Sequence, residues 1–349
     1  MNYSNPPSMS PHSFEDTIKA RDAGRILEYS LMIPCNCNLD CKYCFTDHEK
    51  EKENVGRRQT AFEDIQDFIL QGVALGLEEV QIVGSGEPTM YPHFWELLEF
   101  IKKEVGYVTV FTNSLNNSIE LSKQLAEMRV NIVTKLNGMQ PETNDFLTGI
   151  ASSYSILRKA IDNFIEAGYT KNGLKLAIHT ALCKQNYDEI PEFWRFCRDR
   201  NIIPYVQNLV PPLNKNNKYY QALFVDSKKV GDLYKRILEI DQKEYGFTWT
   251  ITPPVIASNC QKSRNGVGIN TYGDVCFCAY SNITHGNLFE ERLKVILQKE
   301  SVQKVRHVRE LSTGKCGKCN HPFCQGGCRA IANITTGDIL GDDTFCWLS

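Results

Sequence analysis

Cysteine is the residue through which this sequence shows its chemistry. Of 349 residues, 14 are cysteine, and they are grouped rather than scattered. Cys35, Cys37, Cys41 and Cys44 stand together at the front, while Cys183 and Cys197 are isolated in mid-chain. The rest, Cys260, Cys276, Cys278, Cys316, Cys319, Cys324, Cys328 and Cys346, crowd the end of the chain. No apolar secretory stretch opens the sequence, so a reducing cytoplasm is the expected compartment, and structural disulfides are a poor use for these thiols there. Soft-metal sites are the better use, with zinc and iron–sulfur clusters as the candidates. The run Cys37-x3-Cys41-x2-Cys44 puts three thiolates on one short loop. Three thiolates hold three corners of a 4Fe-4S cubane and leave one iron open. A zinc knuckle is the rival use, with Cys35 or His48 as its fourth ligand.

Composition removes other classes. The balance of 39 basic and 41 acidic residues gives −2, without the basic footprint of a nucleic-acid binder. No apolar run reaches the roughly 20 residues that span a bilayer. The length suggests two domains.

The elements that must position the thiols follow a regular pattern. Strands are expected at 27–33, 79–83, 107–111, 130–135, 174–180 and 203–207, with helices at 61–75, 93–104, 119–128, 154–167, 188–200 and 226–240 between and after them. Alternation of this kind predicts βα units around a parallel sheet. Six strands make a partial (β/α)6 TIM-type barrel, whose chemistry gathers at the carboxyl ends of the strands. After Gln242 the rhythm stops, and a single helix is expected over 288–309. The expected division is an N-terminal tail (1–26), a barrel (27–245) and a cysteine-rich domain (246–349) that depends on metal crosslinks for its fold.

The front spacing, placed after the first strand and followed by Phe45, resembles the radical SAM superfamily. A second motif, Gly84-Ser85-Gly86-Glu87-Pro88 at the end of strand 79–83, is similar to that family's GGEP loop. A phosphate-binding loop is the rival reading, but Thr89 stands where the third glycine belongs. The resemblance implies that Cys37, Cys41 and Cys44 hold a cluster whose open iron binds S-adenosylmethionine (SAM), and that reductive cleavage yields a 5′-deoxyadenosyl radical. It also implies cofactor contacts from Phe45, Gly84, Ser85, Gly86 and Glu87. Further contacts are implied for Thr112, Asn113, Lys135 and Asn137 at the next strand ends, although relatives carry Ser-Leu-Asp where Lys135-Leu136-Asn137 stands.

The last cysteines resemble the SPASM extension of the same superfamily. Cys260, twelve residues, Gly273, four residues and Cys278 form its first half, and Cys316-x2-Cys319-x4-Cys324-x3-Cys328 with Cys346 its second. One spacing departs from the family, x4 where x5 is usual. The resemblance implies an outer auxiliary cluster on Cys316, Cys319, Cys324 and Cys346. It implies an inner one on Cys260, Cys278 and Cys328, with Cys276 as candidate fourth ligand. Three 4Fe-4S clusters are therefore expected, with a zinc ribbon as the alternative. A reduced flavodoxin- or ferredoxin-type protein is the expected electron donor.

Fewer than thirty residues precede the first strand, which favours a small polar metabolite, of sugar or aminocyclitol type, over a peptide. A dehydrogenase-type oxidation follows, with His179 at a strand end as the candidate proton acceptor. Radical epimerisation, with Cys276 as hydrogen donor, is an alternative, as is crosslinking, epimerisation or oxidation of a peptide. A cysteine-rich metal sensor is the non-enzymatic reading. The segment Phe45–Arg58 is a lid candidate.

Overall fold

A computed structural model describes residues 8–45, 54, 56–171, 173–211, 219–252, 260, 262–281 and 283–348. His48 and most of the segment 45–58 lie outside the described residues.

The six expected strands are β1 (Glu28–Leu31), β2 (Glu79–Ile82), β3 (Tyr107–Phe111), β4 (Asn131–Lys135), β5 (Leu176–Leu182) and β6 (Ile203–Asn208). They pair parallel, in the order β6-β5-β4-β3-β2-β1. Alternation along each strand gives the sheet two different faces. One presents Tyr29, Leu31, Val80, Ile82, Val108, Val110, Ile132, Ile178 and Val206, which join one continuous apolar core with the helices. The other presents Glu28, Ser30, Glu79, Gln81, Lys135, His179 and Gln207, and this polar interior is where a ligand can be held.

The helices of the barrel region are α1 (Phe14–Asp22), α2 (Phe62–Val73), α3 (Phe94–Glu104), α4 (Ile119–Glu127), α5 (Pro141–Thr148), α6 (Ser153–Glu166), α7 (Ile190–Arg198) and α8 (Ser227–Ile240). In α2 the apolar residues Ile65, Phe68 and Ile69 face inward, and the Asp64 carboxylate accepts from the Ala61 N–H at 2.8 Å to cap the start. Gly72 must be glycine there, because a Cβ would stand 2.5 Å from the Tyr29 hydroxyl.

Three features differ from the sequence reading. The first is the tail. It contains α1, whose start is capped by a Ser13–Asp16 box, and Arg264 lies 4.5 Å over its Phe14 ring. Ahead of it, Met9 packs on Val133 and Ala177, while Lys175 Nζ donates to the carbonyls of Ser8, Met9 and Ser10. The segment thus closes the amino-terminal end of the barrel.

The second is the sheet, which does not stop at six strands. β7 (Gly266–Ile269) pairs parallel with β1, from Glu28↔Gly266 to Leu31↔Ile269. The antiparallel strands β8 (Asp274–Cys276) and β9 (Gly286–Asn287) follow it. The last region therefore begins inside the barrel's own sheet. Third, the helix expected over 288–309 is three short ones, Leu293–Gln298, Glu300–Arg306 and Val308–Leu311. Lys299 between the first two is extended (ψ 143°), and its ammonium donates to the His285 carbonyl, 3.0 Å away, and to Glu291.

Candidate active site and cluster centres

The loop after β1 carries Cys37, Cys41 and Cys44, and it is held from both sides. The N–H groups of Asp40 and Lys42 donate to the carbonyls of Thr148 and Leu147 at the end of α5, each at 3.0 Å. Gly149 closes α5 in the left-handed region (φ +75°), and a Cβ there would stand 2.3 Å from the Asp40 carbonyl oxygen. On the other side lies the Gly84–Pro88 loop. Glu87 N–H donates to Asn36 O at 2.8 Å, and Ser85 Oγ donates to Ile33 O at 3.0 Å. A Cβ on Gly86 would overlap the Asn36 and Cys35 carbonyls at 2.4 Å, so this glycine is what lets the two loops touch.

Glu87 is the knot. Its carboxylate accepts from Thr112 Oγ1 (2.6 Å), the Asn113 N–H (2.6 Å), Thr89 Oγ1 (2.8 Å) and the Thr89 N–H (3.2 Å). Burial pushes this carboxyl up, against the pull of those donors. With its acceptor sites taken by the protein, Glu87 positions the glycine loop on the end of β3. Asn113 reaches onward, with Nδ2 2.7 Å from Asn38 Oδ1 and 3.8 Å from Cys37 Sγ. Replacing Glu87 by Ala strands these donors, so we expect SAM affinity to fall at least tenfold, about 1.4 kcal/mol, with iron content unchanged. Isothermal titration alongside iron analysis measures both. Unaltered affinity would show that the loop holds its shape without the knot.

Lys135 ends β4, with its ammonium 5.4 Å over the Tyr43 ring. Asn137 is fully buried, and its Oδ1 accepts from Tyr43 OH at 2.8 Å. Both residues therefore support the cysteine loop through Tyr43. His179 stands beside Lys135 in the β4–β5 register and beside Tyr205 in the β5–β6 register. Its Nε2 lies 2.9 Å from Gln207 Oε1, an acceptor, so Nε2 carries the proton and the buried Nδ1 is left without a partner. Burial, and then the Lys135 ammonium, pull this imidazole down to about 3. Such a group is a weak base at neutral pH, so the expected proton-acceptor role gives way to that of a neutral hydrogen-bonding partner.

The sequence reading missed Tyr280. Its hydroxyl donates to the same Gln207 oxygen at 3.2 Å, and its ring packs on Phe45, centroids 4.5 Å apart. Standing two residues after Cys278 and touching the residue after Cys44, it joins the last region to the front loop. That short offset from a cysteine was the only hint in the sequence.

The C-terminal thiols line two cavities. One, of about 340 Å³, is bordered by Cys316, Cys319, Cys324 and Cys346, the four expected outer ligands. Two backbone N–H groups already point at its sulfurs, Asp343 to Cys316 Sγ (3.4 Å) and Gly327 to Cys324 Sγ (3.1 Å), as thiolates require. The other, of about 40 Å³, is bordered by Cys260, Cys278 and Cys328. Cys276 does not border it; its thiol donates to the Cys278 carbonyl at 3.1 Å and packs over Gly268. Burial raises the thiols of Cys260, Cys278 and Cys328, and holds that of Cys41 at about 11, so metal loading must displace protons. Among the described residues no three His, Cys, Asp or Glu side chains close around a single-ion position. Cys183 and Cys197 are core residues.

The radical SAM superfamily profile matches residues 31–197, and that of the iron–sulfur cluster-binding SPASM domain matches 260–320. The chain belongs to the radical SAM superfamily. It is a radical SAM/SPASM enzyme, and its cofactors are SAM and 4Fe-4S clusters. The AdoMet-dependent heme synthase of Methanosarcina barkeri is 22% identical over 353 residues, spanning 94% of this chain and 98% of its own. The mycofactocin maturase MftC of Mycobacterium tuberculosis is 26% identical over 354 residues, spanning 96% and 86%. Among solved structures, Streptococcus suis SuiB bound to its precursor peptide SuiA shares the fold, with a TM-score of 0.69 at 23% identity over 100% of this chain and 85% of SuiB. No helix among the described residues of this radical SAM/SPASM enzyme is long and apolar enough to cross a membrane.

Proposed function

We propose that this enzyme modifies a peptide, removing two hydrogens to form a crosslink or an oxidised residue, one as a hydrogen atom taken through SAM and the other as a proton whose electron would pass to a C-terminal cluster. The observation that carries the reading is the near full-length likeness to a maturase, MftC. The precursor peptide bound to SuiB, a protein of the same fold, supports it. The short segment before β1, which favoured a small polar metabolite, weighs less than these likenesses.

Cys37, Cys41 and Cys44 would hold the cluster, and cluster and SAM together would supply the radical chemistry that takes a hydrogen atom from the substrate. The chain's own residues position the partners. Gly84 and Gly86 let the backbone approach SAM, Glu87 holds that loop, and Phe45 rests on Tyr280 beside it. Lys135, His179 and Gln207 line the polar interior, where the bare Nδ1 of His179 accepts from an N–H or O–H of the substrate.

The heme synthase likeness favours a second reading, a small-molecule substrate. Incubation of the reduced, reconstituted enzyme with SAM and a library of short peptides, followed by mass spectrometry, separates the two. A peptide lighter by two hydrogens, formed with one 5′-deoxyadenosine per event, supports the proposal. Unchanged peptides, with 5′-deoxyadenosine formation stimulated only by a tetrapyrrole or a sugar, would favour the second reading.

A further inference from the structure

The two C-terminal cavities share a wall. Gly327 borders both, and Arg329, which follows Cys328 directly, borders the smaller and reaches a cysteine of the larger. Arg329 is 2% exposed and borders the cavity of Cys260, Cys278 and Cys328. Its Nη1 donates to the carbonyls of Ile339 (2.9 Å) and Gly341 (2.8 Å). Its Nη2 donates to the Gly326 carbonyl and lies 3.7 Å from Cys316 Sγ, an outer ligand.

No carboxylate forms an ion pair with this guanidinium among the described residues, and its Nε has no hydrogen-bond partner. Asp343 is the acidic group nearby, but its oxygens accept from the N–H groups of Cys328 (2.7 Å) and Phe345 (2.9 Å). Asp342 accepts from the Cys316 N–H at 2.9 Å. An unpaired cation in a protein interior is expensive unless anions lie beside it. A 4Fe-4S unit on thiolates is such an anion, and here one belongs on either side.

We propose that Arg329 is the counter-cation shared by the two auxiliary clusters, raising their reduction potentials and easing electron passage between them. Each added electron makes a cluster more negative, and a fixed positive charge favours that state. In the step concerned, one electron leaves the inner cluster and enters the outer one, with no bond made or broken and no proton moved. The outer cluster, whose Cys316 sulfur receives Nη2, feels the charge more. The inference rests on the cluster assignment and not on the peptide reading, so a failed peptide assay leaves it standing.

The test is a redox titration followed by electron paramagnetic resonance, on full-length, anaerobically reconstituted protein carrying the Cys37→Ala, Cys41→Ala and Cys44→Ala substitutions, so that only auxiliary signals remain. Arg329→Gln should lower the outer potential by about 59 mV, a tenfold loss in the equilibrium constant for reduction, and the inner by less. Arg329→Lys keeps the charge and should stay within twofold of the parent. Unchanged potentials in a Gln variant holding both clusters overturn the proposal. If the Gln variant loses a cluster, the Lys variant decides. Potentials held by Lys support the charge, and a tenfold drop with Lys assigns the effect to the shape of guanidinium instead.

Discussion

Replacing Cys37, Cys41 and Cys44 together by Ala should abolish 5′-deoxyadenosine formation while leaving a folded protein that carries its C-terminal clusters. The loop is anchored by backbone contacts as well as by its thiols. Thr148 and Leu147 hold it through Asp40 and Lys42, and Asn36 is fastened to Glu87. The thiols can therefore be removed without releasing the barrel. With about four irons per cubane, iron should fall from about twelve to about eight per chain. The matching change at Cys316, Cys319, Cys324 and Cys346 should leave SAM cleavage in place and take a different unit away. Iron and sulfide analysis, with chromatography of the nucleoside product, reads both arms. A triple variant that still releases 5′-deoxyadenosine would remove the front site from the reaction, and stoichiometric zinc with at most one cluster would undo the assignment altogether.

The largest expected loss of stability lies away from the clusters, at Asp241. This carboxylate is completely buried at the end of α8 and gathers three side chains. Trp194 Nε1 and Trp249 Nε1 each donate to it at 2.7 Å, and Arg198 does so from Nε (2.8 Å) and Nη2 (2.5 Å). Arg198 is itself buried, its side chain 5% exposed. Asp241→Ala leaves that guanidinium and two indole N–H groups unpaired, and breaking a buried pair in this way costs about 3–5 kcal/mol. Against a whole-protein stability of about 5–15 kcal/mol, that is a large fraction. The two indoles that bond the carboxylate also report on it, so tryptophan fluorescence in anaerobic urea titrations should show a lower midpoint. A midpoint within experimental scatter of the parent would mean that water or another group replaces the carboxylate.

The grouping of the cysteines was legible in the sequence because short-range spacing is enough to place them on one loop, and ten of them line the front loop or the two cavities. Cys276 was not legible. Its place depends on the β7–β8 pairing, which puts its sulfur over Gly268, and no local spacing reports that. β7 itself was hidden, since Gly266-Val267-Gly268-Ile269 lacks the β-branched run that marks a strand, and glycine serves there because Cys276 and Cys278 crowd it. The tail misled for the opposite reason. Its Pro- and Ser-rich composition suggests solvent, yet Ser13 and Asp16 form a helix cap that was there to be read. Gln207, Tyr280 and Arg329 matter through partners far away in sequence, and only the fold shows those.

The pairing of β7 with β1 also governs how such enzymes can be recombined. β1 stands between β2 and β7, so the strand that delivers the front cysteines is hydrogen-bonded on one side by a segment from beyond residue 260. A chimaera spliced at residue 245 would ask a foreign β7 to match β1 in register and, through Lys262, to meet Glu28, Ser30 and Gln81 inside the barrel. Splicing instead in the turn around Tyr272, between β7 and β8, keeps that strand with its native neighbour, but it divides Cys260 from Cys278. No single junction preserves both the sheet and the inner cluster, so grafting an auxiliary module onto this barrel requires two crossovers.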